Sequence, residues 1–155
     1  MKQPPACNAK KPDVDLCQQP GQTRKGMLII VSGPSGTGKG TLCERLLASD
    51  PHIVFSVSAT TRAPRDNEKD GVHYSFITEK EFDQLLQTGN LLEHATVHDH
   101  RYGTPRPPVE AALEKGLDVL LDVDSQGAMS VMKQMPHCVS IFIMPPSFDS
   151  LRLRL

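Results

Sequence analysis

Nine consecutive residues, Gly33-Pro34-Ser35-Gly36-Thr37-Gly38-Lys39-Gly40-Thr41, have the composition of a cradle for phosphate. Gly33 to Lys39 fits the pattern G-x-x-x-x-G-K, in which glycines let backbone N–H groups turn inward around an anion. A helix beginning at the lysine adds the partial positive charge of its N-terminus, and Lys39 reaches the outer phosphates as a point charge. The bland alternative is a glycine-rich turn that only joins strand to helix, but the apolar run before it and the helical spacing after it are the context the motif requires. One departure bears on metal handling. Gly40 stands where the general motif has Ser or Thr, and Thr41 follows it. Thr41 then contacts phosphate or Mg²⁺, or water completes the metal shell.

Two further groups of residues could do chemistry beside that cradle. Leu120-Leu121-Asp122-Val123-Asp124 puts two carboxylates at the end of an apolar run. In open α/β sheets ligands bind outside the carboxyl edge, where Asp122 could hold Mg²⁺ directly or through water; the alternative for an aspartate there is a helix N-cap or a turn. Ser58-Ala59-Thr60-Thr61-Arg62-Ala63-Pro64-Arg65 holds two arginines three apart. Guanidinium forks bind phosphate oxygens bidentately, so beside a phosphate loop this pair suggests the phosphate of an acceptor.

These groups need elements to position them. Met27 to Val31, Val119 to Leu121 and Val139 to Met144 are apolar runs without alternation, the pattern of strands buried on both faces of a parallel sheet. Leu42, Leu46 and Leu47 predict a helix over 39–48. Thr104-Pro105 reads as an N-cap followed by proline in the first turn, with Gly116 stopping that helix, and a further helix runs from Gln126 to Met135. Its Met129, Met132 and Met135 read as packing residues. Strands alternating with helices imply βαβ units and a parallel sheet flanked by helices. Between them, Ile53 to Thr61, Val72 to Ile77 and Leu91 to Val97 look like shorter strands with polar residues. Thr78 to Glu81 has the form of a capping box for a helix reaching about Thr88. The polar-rich insert 56–103 reads as a small subdomain. Residues 1–25, rich in proline and poor in apolar surface, read as a disordered tail.

The bulk properties narrow the partners. At 155 residues the chain suffices for one domain, and a net charge of −1 gives no global attraction to nucleic acid or membrane. No apolar run approaches the roughly 18 residues of a membrane span. Four cysteines without a CxxC pair point to a reducing, cytoplasmic setting. Cys43 reads as a small core residue. His94, His98 and His100 read as packing or solvent-facing residues, not metal ligands.

Several segments in order now carry a family resemblance: Ser32 to Lys39, Phe55 to Arg62, Gly71-Val72-His73-Tyr74, Tyr102-Gly103-Thr104-Pro105 and Asp122-Val123-Asp124-Ser125-Gln126-Gly127. Over about residues 26–155 the chain resembles the guanylate kinase family, of bacterial type. The resemblance implies a P-loop nucleoside monophosphate kinase fold: a core of 26–55 and 104–155 around a mixed β GMP-binding insert. It implies ATP and GMP as substrates, with Mg²⁺. By resemblance, Ser58, Arg62, Arg65 and Tyr74 hold the GMP phosphate, Tyr102 lines the same site, and Glu93, Thr104 and Asp124 read the guanine. Lys39, Arg62 and Arg154 stabilise the charge that develops in transfer, and Thr41 and Asp122 are the metal candidates. Compared with the family, further lid arginines, a last strand and a C-terminal helix would follow Leu155, so the expectation is a GMP site with weak or no turnover. Two other readings stand beside the ATP–GMP phosphotransferase: a non-catalytic guanylate-kinase-like binding module, and a P-loop kinase for another acceptor.

Overall fold

The computed structural model describes residues 24–145 and Ser147. The tail up to residue 23, and Arg154 within 151–155, lie outside the described residues. Arg24, placed in the tail by sequence, is held to the body: its guanidinium donates to Asp118 at 2.6 Å, and the Met27 N–H donates to the same carboxylate at 2.8 Å.

The elements, in chain order, are β1 (Leu28–Ser32), α1 (Lys39–Ser49), β2 (Ile53–Phe55), β3 (Ala59–Thr60), β4 (Ser75–Phe76), α2 (Glu79–Gln87), β5 (Leu91–Val97), β6 (His100–Pro105), α3 (Arg106–Glu114), β7 (Asp118–Asp122), α4 (Ser125–Gln134) and β8 (Val139–Phe142). They form two four-stranded sheets. The first is wholly parallel with order β2-β7-β1-β8. The second is mixed with order β4-β3-β6-β5, its β3–β4 pair parallel and its other pairs antiparallel.

The alternation of side chains along a strand explains why the parallel sheet is covered on both faces. Leu28, Ile30, Val119 and Leu121 point one way and pack with Val109 of α3, Ala128 and Val131 of α4 and Leu92 of β5. Val31 and Leu120 point the other way and pack with Cys43 of α1, supported by Leu46, Leu47 and Ile53. The helix-flanked parallel sheet read from the apolar runs is therefore present, and Cys43 is a core residue.

Four readings of local structure are corrected. Ile53 to Thr61 is two strands, because Ser56 to Ser58 carry the chain from the core sheet at β2 to the mixed sheet at β3. Thr104 is no N-cap: it lies in β6 paired with Glu93, and Pro105 takes the cap position of α3. Proline without a side-chain acceptor suffices there because Pro107 and Pro108 need no N–H partner in the first turn. Met129 and Met132 are exposed, since Ala128 and Val131 form the buried face of α4, and only Met135 packs on the core. Among the described residues β8 is an outermost strand and its four residues are exposed, Phe142 by 53%, although its sequence reads as a two-face buried strand.

The capping box is as expected: the Thr78 hydroxyl accepts from Glu81 N–H while the Glu81 carboxylate accepts from Thr78 N–H at 2.7 Å. The strand β6 and its hairpin with β5 were not foreseen. His98 and Asp99 both have positive φ, 48° and 64°, the backbone of a tight hairpin turn, so His98 is a turn residue.

Candidate active site

The phosphate loop is the continuation of β1 into α1. Gly36 and Gly38 adopt φ of 78° and 89°, and Gly38 occupies the N-cap of α1 without a side-chain cap, which leaves the first amides of that helix to an incoming anion. Gly33 is required for a different reason. A Cβ at Gly33 would lie 2.4 Å from the Ile143 carbonyl oxygen, so the loop can pass the end of β8 only without a side chain. Lys39 arches back over the loop, its Nζ donating to the carbonyls of Gly33 at 2.9 Å and Pro34 at 3.2 Å. The Thr37 hydroxyl donates to the Pro34 carbonyl at 2.8 Å. Pro34, Ser35, Gly36, Gly40 and Thr41 are exposed along the same rim.

Asp122 ends β7 directly beside β1, in register with Val31. Burial pushes its carboxyl above the usual range and the Lys39 ammonium draws it partly back, so the two face a common space. Cys43 sits beneath them. Burial, then the charge of Asp122, pushes its thiol up to about 11 against the pull of Lys39, which makes it an inert packing residue. Among the described residues no group of three His, Cys, Asp or Glu side chains is arranged to hold a metal.

The second part of the site is one face of the mixed sheet. β5 and β6 pair Glu93 with Thr104 and Ala95 with Tyr102, and β3 pairs Thr60 with Tyr102. With a period of two, Glu93, Thr104 and Tyr102 share a face. The Thr104 hydroxyl donates to Glu93 Oε1 at 2.6 Å. Burial raises the Glu93 carboxyl, the Thr104 hydrogen bond lowers it, and the nearby Asp124 charge raises it again. Asp124 comes from the opposite sheet as the N-cap of α4, its Oδ1 accepting from Gly127 N–H at 2.7 Å. The cap role for an aspartate in this segment is thus realised by Asp124, whose charge acts on Glu93. α4 is fixed over the mixed sheet by Ser130 Oγ and Gln134 Nε2, which donate to the Leu92 carbonyl at 3.0 and 2.6 Å.

Further along the same sheet lies an arginine nest. Arg62 Nε donates to the Tyr102 hydroxyl at 3.2 Å, and its guanidinium carbon is 5.6 Å from the Tyr74 ring centroid and 5.9 Å from that of Phe76. Tyr74 and Tyr102 meet edge to face at 5.9 Å. Ser58 is tied in through its backbone, its carbonyl accepting from Ser75 N–H at 2.9 Å. Arg65 is exposed on the turn that follows Arg62. The structure therefore brings Arg62, Tyr74 and Tyr102 together, and Glu93, Thr104 and Asp124 together. It places Lys39 and Asp122 at the parallel sheet's edge.

Three contributors were not read from the sequence. Glu68 accepts from Arg62 Nη2 at 2.9 Å and from Arg65 N–H at 2.9 Å. Gly127 leaves room for two carboxylates: a Cβ there would come within 3.2 Å of Glu93 Oε2 and 3.3 Å of Asp124 Oδ1. Phe76 supplies a second ring against Arg62. Only Glu68 had a usable signal, an Arg-x-x-Glu spacing able to close a turn.

A family model described as guanylate kinase matches residues 25–155. The chain is 48% identical over 132 residues to a guanylate kinase of Clostridioides difficile, covering 85% of this chain and 64% of that one. It is 51% identical over 131 residues to a guanylate kinase of Symbiobacterium thermophilum, covering 84% and 62%. It thus spans a little under two thirds of these relatives. The crystal structure of guanylate kinase from Anaplasma phagocytophilum superposes with a TM-score of 0.68 at 43% identity, covering 84% of this chain and 66% of that one.

Proposed function

The chain belongs to the guanylate kinase family, and from that premise we propose that it serves transfer of the γ-phosphoryl group of ATP to GMP, giving ADP and GDP. The observation that carries the acceptor assignment is the cluster of Glu93, Thr104 and Asp124 on α4 and the mixed sheet, next to the Arg62 nest. Guanine presents N1–H and N2–H₂ as donors, and ionised carboxylates only accept. Adenine lacks the N2 amine and has an acceptor at N1. AMP would leave a half-buried carboxylate unpaired, at a cost on the order of 1–3 kcal/mol per lost bond.

The remaining groups take roles consistent with that placement. Ser58, Arg62, Arg65 and Tyr74, with Tyr102, hold the GMP phosphate, and the Gly33–Thr41 loop with Lys39 holds the triphosphate. An oxygen of the GMP phosphate attacks the γ-phosphorus as its bond to the β–γ bridging oxygen breaks, without a covalent enzyme intermediate. Catalysis is then positioning plus cations on the developing charge, supplied by Lys39 and Arg62. Arg154 takes the same part by family resemblance. The oxygens of Thr41 and Asp122 suit Mg²⁺, which takes one or two protein ligands and fills its shell with phosphate and water. When bound, Mg²⁺ would neutralise charge on the transferring phosphates. The Lys39 charge favours the ionised form of Asp122 and offsets part of the burial that raises its carboxyl. Among the described residues no helix is long and apolar enough to cross a membrane, and we assign the chain a cytoplasmic location and no nucleic-acid partner. The intact loop and lysine argue against a purely binding module.

Titration of the chain with GMP and AMP tests the acceptor. GMP is expected to bind at least tenfold more tightly, and equal affinities would refute guanine readout by Glu93 and Asp124.

A further inference from the structure

Resting on the assignment of Arg62 to the acceptor phosphate, we propose that Glu68 is a positioning residue of that site: it holds Arg62 with two N–H groups free for the phosphate. Glu68 closes the turn that carries both arginines. Its N–H donates to the Arg65 carbonyl at 2.9 Å, and its Oε2 accepts from the Arg65 N–H at 2.9 Å. Its Oε1 accepts from Arg62 Nη2 at 2.9 Å. Arg62 is pinned twice more, by Nε to the Tyr102 hydroxyl at 3.2 Å and by Nη1 to the Ala63 carbonyl at 2.7 Å.

A guanidinium has five N–H groups. Three are engaged in these bonds, which leaves one on each Nη, a pair able to grip phosphate oxygens in bidentate fashion. The rings of Tyr74 and Phe76 stop the group from swinging away. Glu68 and Arg62 are both largely covered, with side chains 17% and 13% exposed, and the contact holds the Glu68 carboxyl below the usual range. A carboxylate beside an anion site opposes the incoming charge. Here it also removes, on folding, rotamer freedom that a free arginine would lose on binding. Arg65, exposed on the same turn, supplies the charge that Glu68 offsets.

Calorimetric titration of the 155-residue chain with GMP and with guanosine, on wild type, Glu68→Ala, Glu68→Gln, Arg62→Ala and the double variant Glu68→Ala with Arg62→Ala, separates the possibilities. Positioning predicts that Glu68→Ala weakens GMP on the order of tenfold and leaves guanosine unchanged. It also predicts no further loss when Glu68→Ala is combined with Arg62→Ala. Glu68→Gln keeps one acceptor oxygen where Glu68 has two, enough for either Arg62 Nη2 or the Arg65 N–H but not both, so it is expected between the two and decides the matter if the alanine variant does not fold. GMP binding as tight as wild type, or tighter, in both Glu68 variants would overturn the proposal and make Glu68 a competitor of the phosphate. Equal weakening of GMP and guanosine would overturn it in favour of a general structural role. If Arg62→Ala leaves GMP affinity unchanged, the acceptor-phosphate assignment itself fails, and this inference with it.

Discussion

The loop at Gly33–Thr41 and the face of the mixed sheet, both phosphate sites in the proposed function, are built from opposite materials. The loop is one unbroken stretch that acts through backbone amides, glycine conformations and a single lysine. The sheet face is made of side chains gathered from β5, β6, the start of α4 and the turn after β3, Arg62 and Glu93 held by other side chains and Asp124 by the Gly127 amide. A backbone site depends on shape and is indifferent to many side chains. A side-chain site depends on the donor and acceptor character of each member and on the partners that aim it.

The largest effect expected from that contrast is at Lys39, the loop's only charged side chain. Lys39→Ala should lower phosphoryl transfer in any active form by roughly 10²–10³-fold while GMP affinity is unchanged, read by a coupled assay beside a GMP titration. A matching loss of GMP affinity would mean that the two halves are not separable. Next is the shape of the loop itself. Gly33→Ala drives a methyl into the Ile143 carbonyl at a positive φ of 144°, and should lower the melting temperature by several degrees or more. Gly40→Ser adds a side chain where nothing lies within 4 Å and should leave the melting temperature unchanged. Equal effects of the two would show that the loop is not shape-limited.

On the sheet face the decisive variable is the charge of Glu93. Because its carboxyl is raised in the folded protein, the native state keeps that proton to higher pH than the unfolded chain. The associated stability is present below the ordinary glutamate value and is lost as pH rises through the raised one. Glu93→Gln should therefore raise the melting temperature at neutral pH and flatten its pH dependence in that window. It should also weaken GMP by roughly tenfold and erase preference over AMP. In wild type, GMP affinity should fall as pH drops through the raised value, the opposite trend to stability. A variant that loses stability at neutral pH would show that the Glu93 charge is structural.

The smallest effect is at Gly127. Alanine improves a helix position by about 0.5–1 kcal/mol, yet its methyl would press on Glu93 and Asp124 at 3.2 and 3.3 Å. Gly127→Ala should hold or raise the melting temperature and weaken GMP by a few-fold. Unchanged GMP binding would mean that the carboxylates yield without cost.

The same contrast explains what could be read in advance. The apolar runs of β1 and β7 were legible because burial on both faces removes alternation from the sequence, and both faces are indeed covered by α1 on one side and α3 with α4 on the other. The capping box of α2 was legible because Thr78 and Glu81 satisfy each other within one turn. The split of Ile53 to Thr61 was not, because three residues that change sheets look like the middle of a strand. Thr104 was misread as a cap because threonine before proline suits both a helix start and a strand end, and only pairing with Glu93 decides between them. The pattern of β8 likewise cannot say how much of its surface the described chain covers.

By itself the sequence determined the glycine-rich turn from β1 into α1, the parallel core and the capped helix, since each is specified by residues within a turn or a strand of one another. It also identified the family, because several motifs stand in order. Only the tertiary structure decided that Glu68 holds Arg62, that Asp124 caps α4 while facing Glu93, and that Gly127 makes room for both. The meeting of Glu93 with Asp124 joins residues across strand pairing and helix docking, of which local spacing carries no record, whereas Glu68 and Arg62 meet within one turn and left only the Arg-x-x-Glu spacing as a signal.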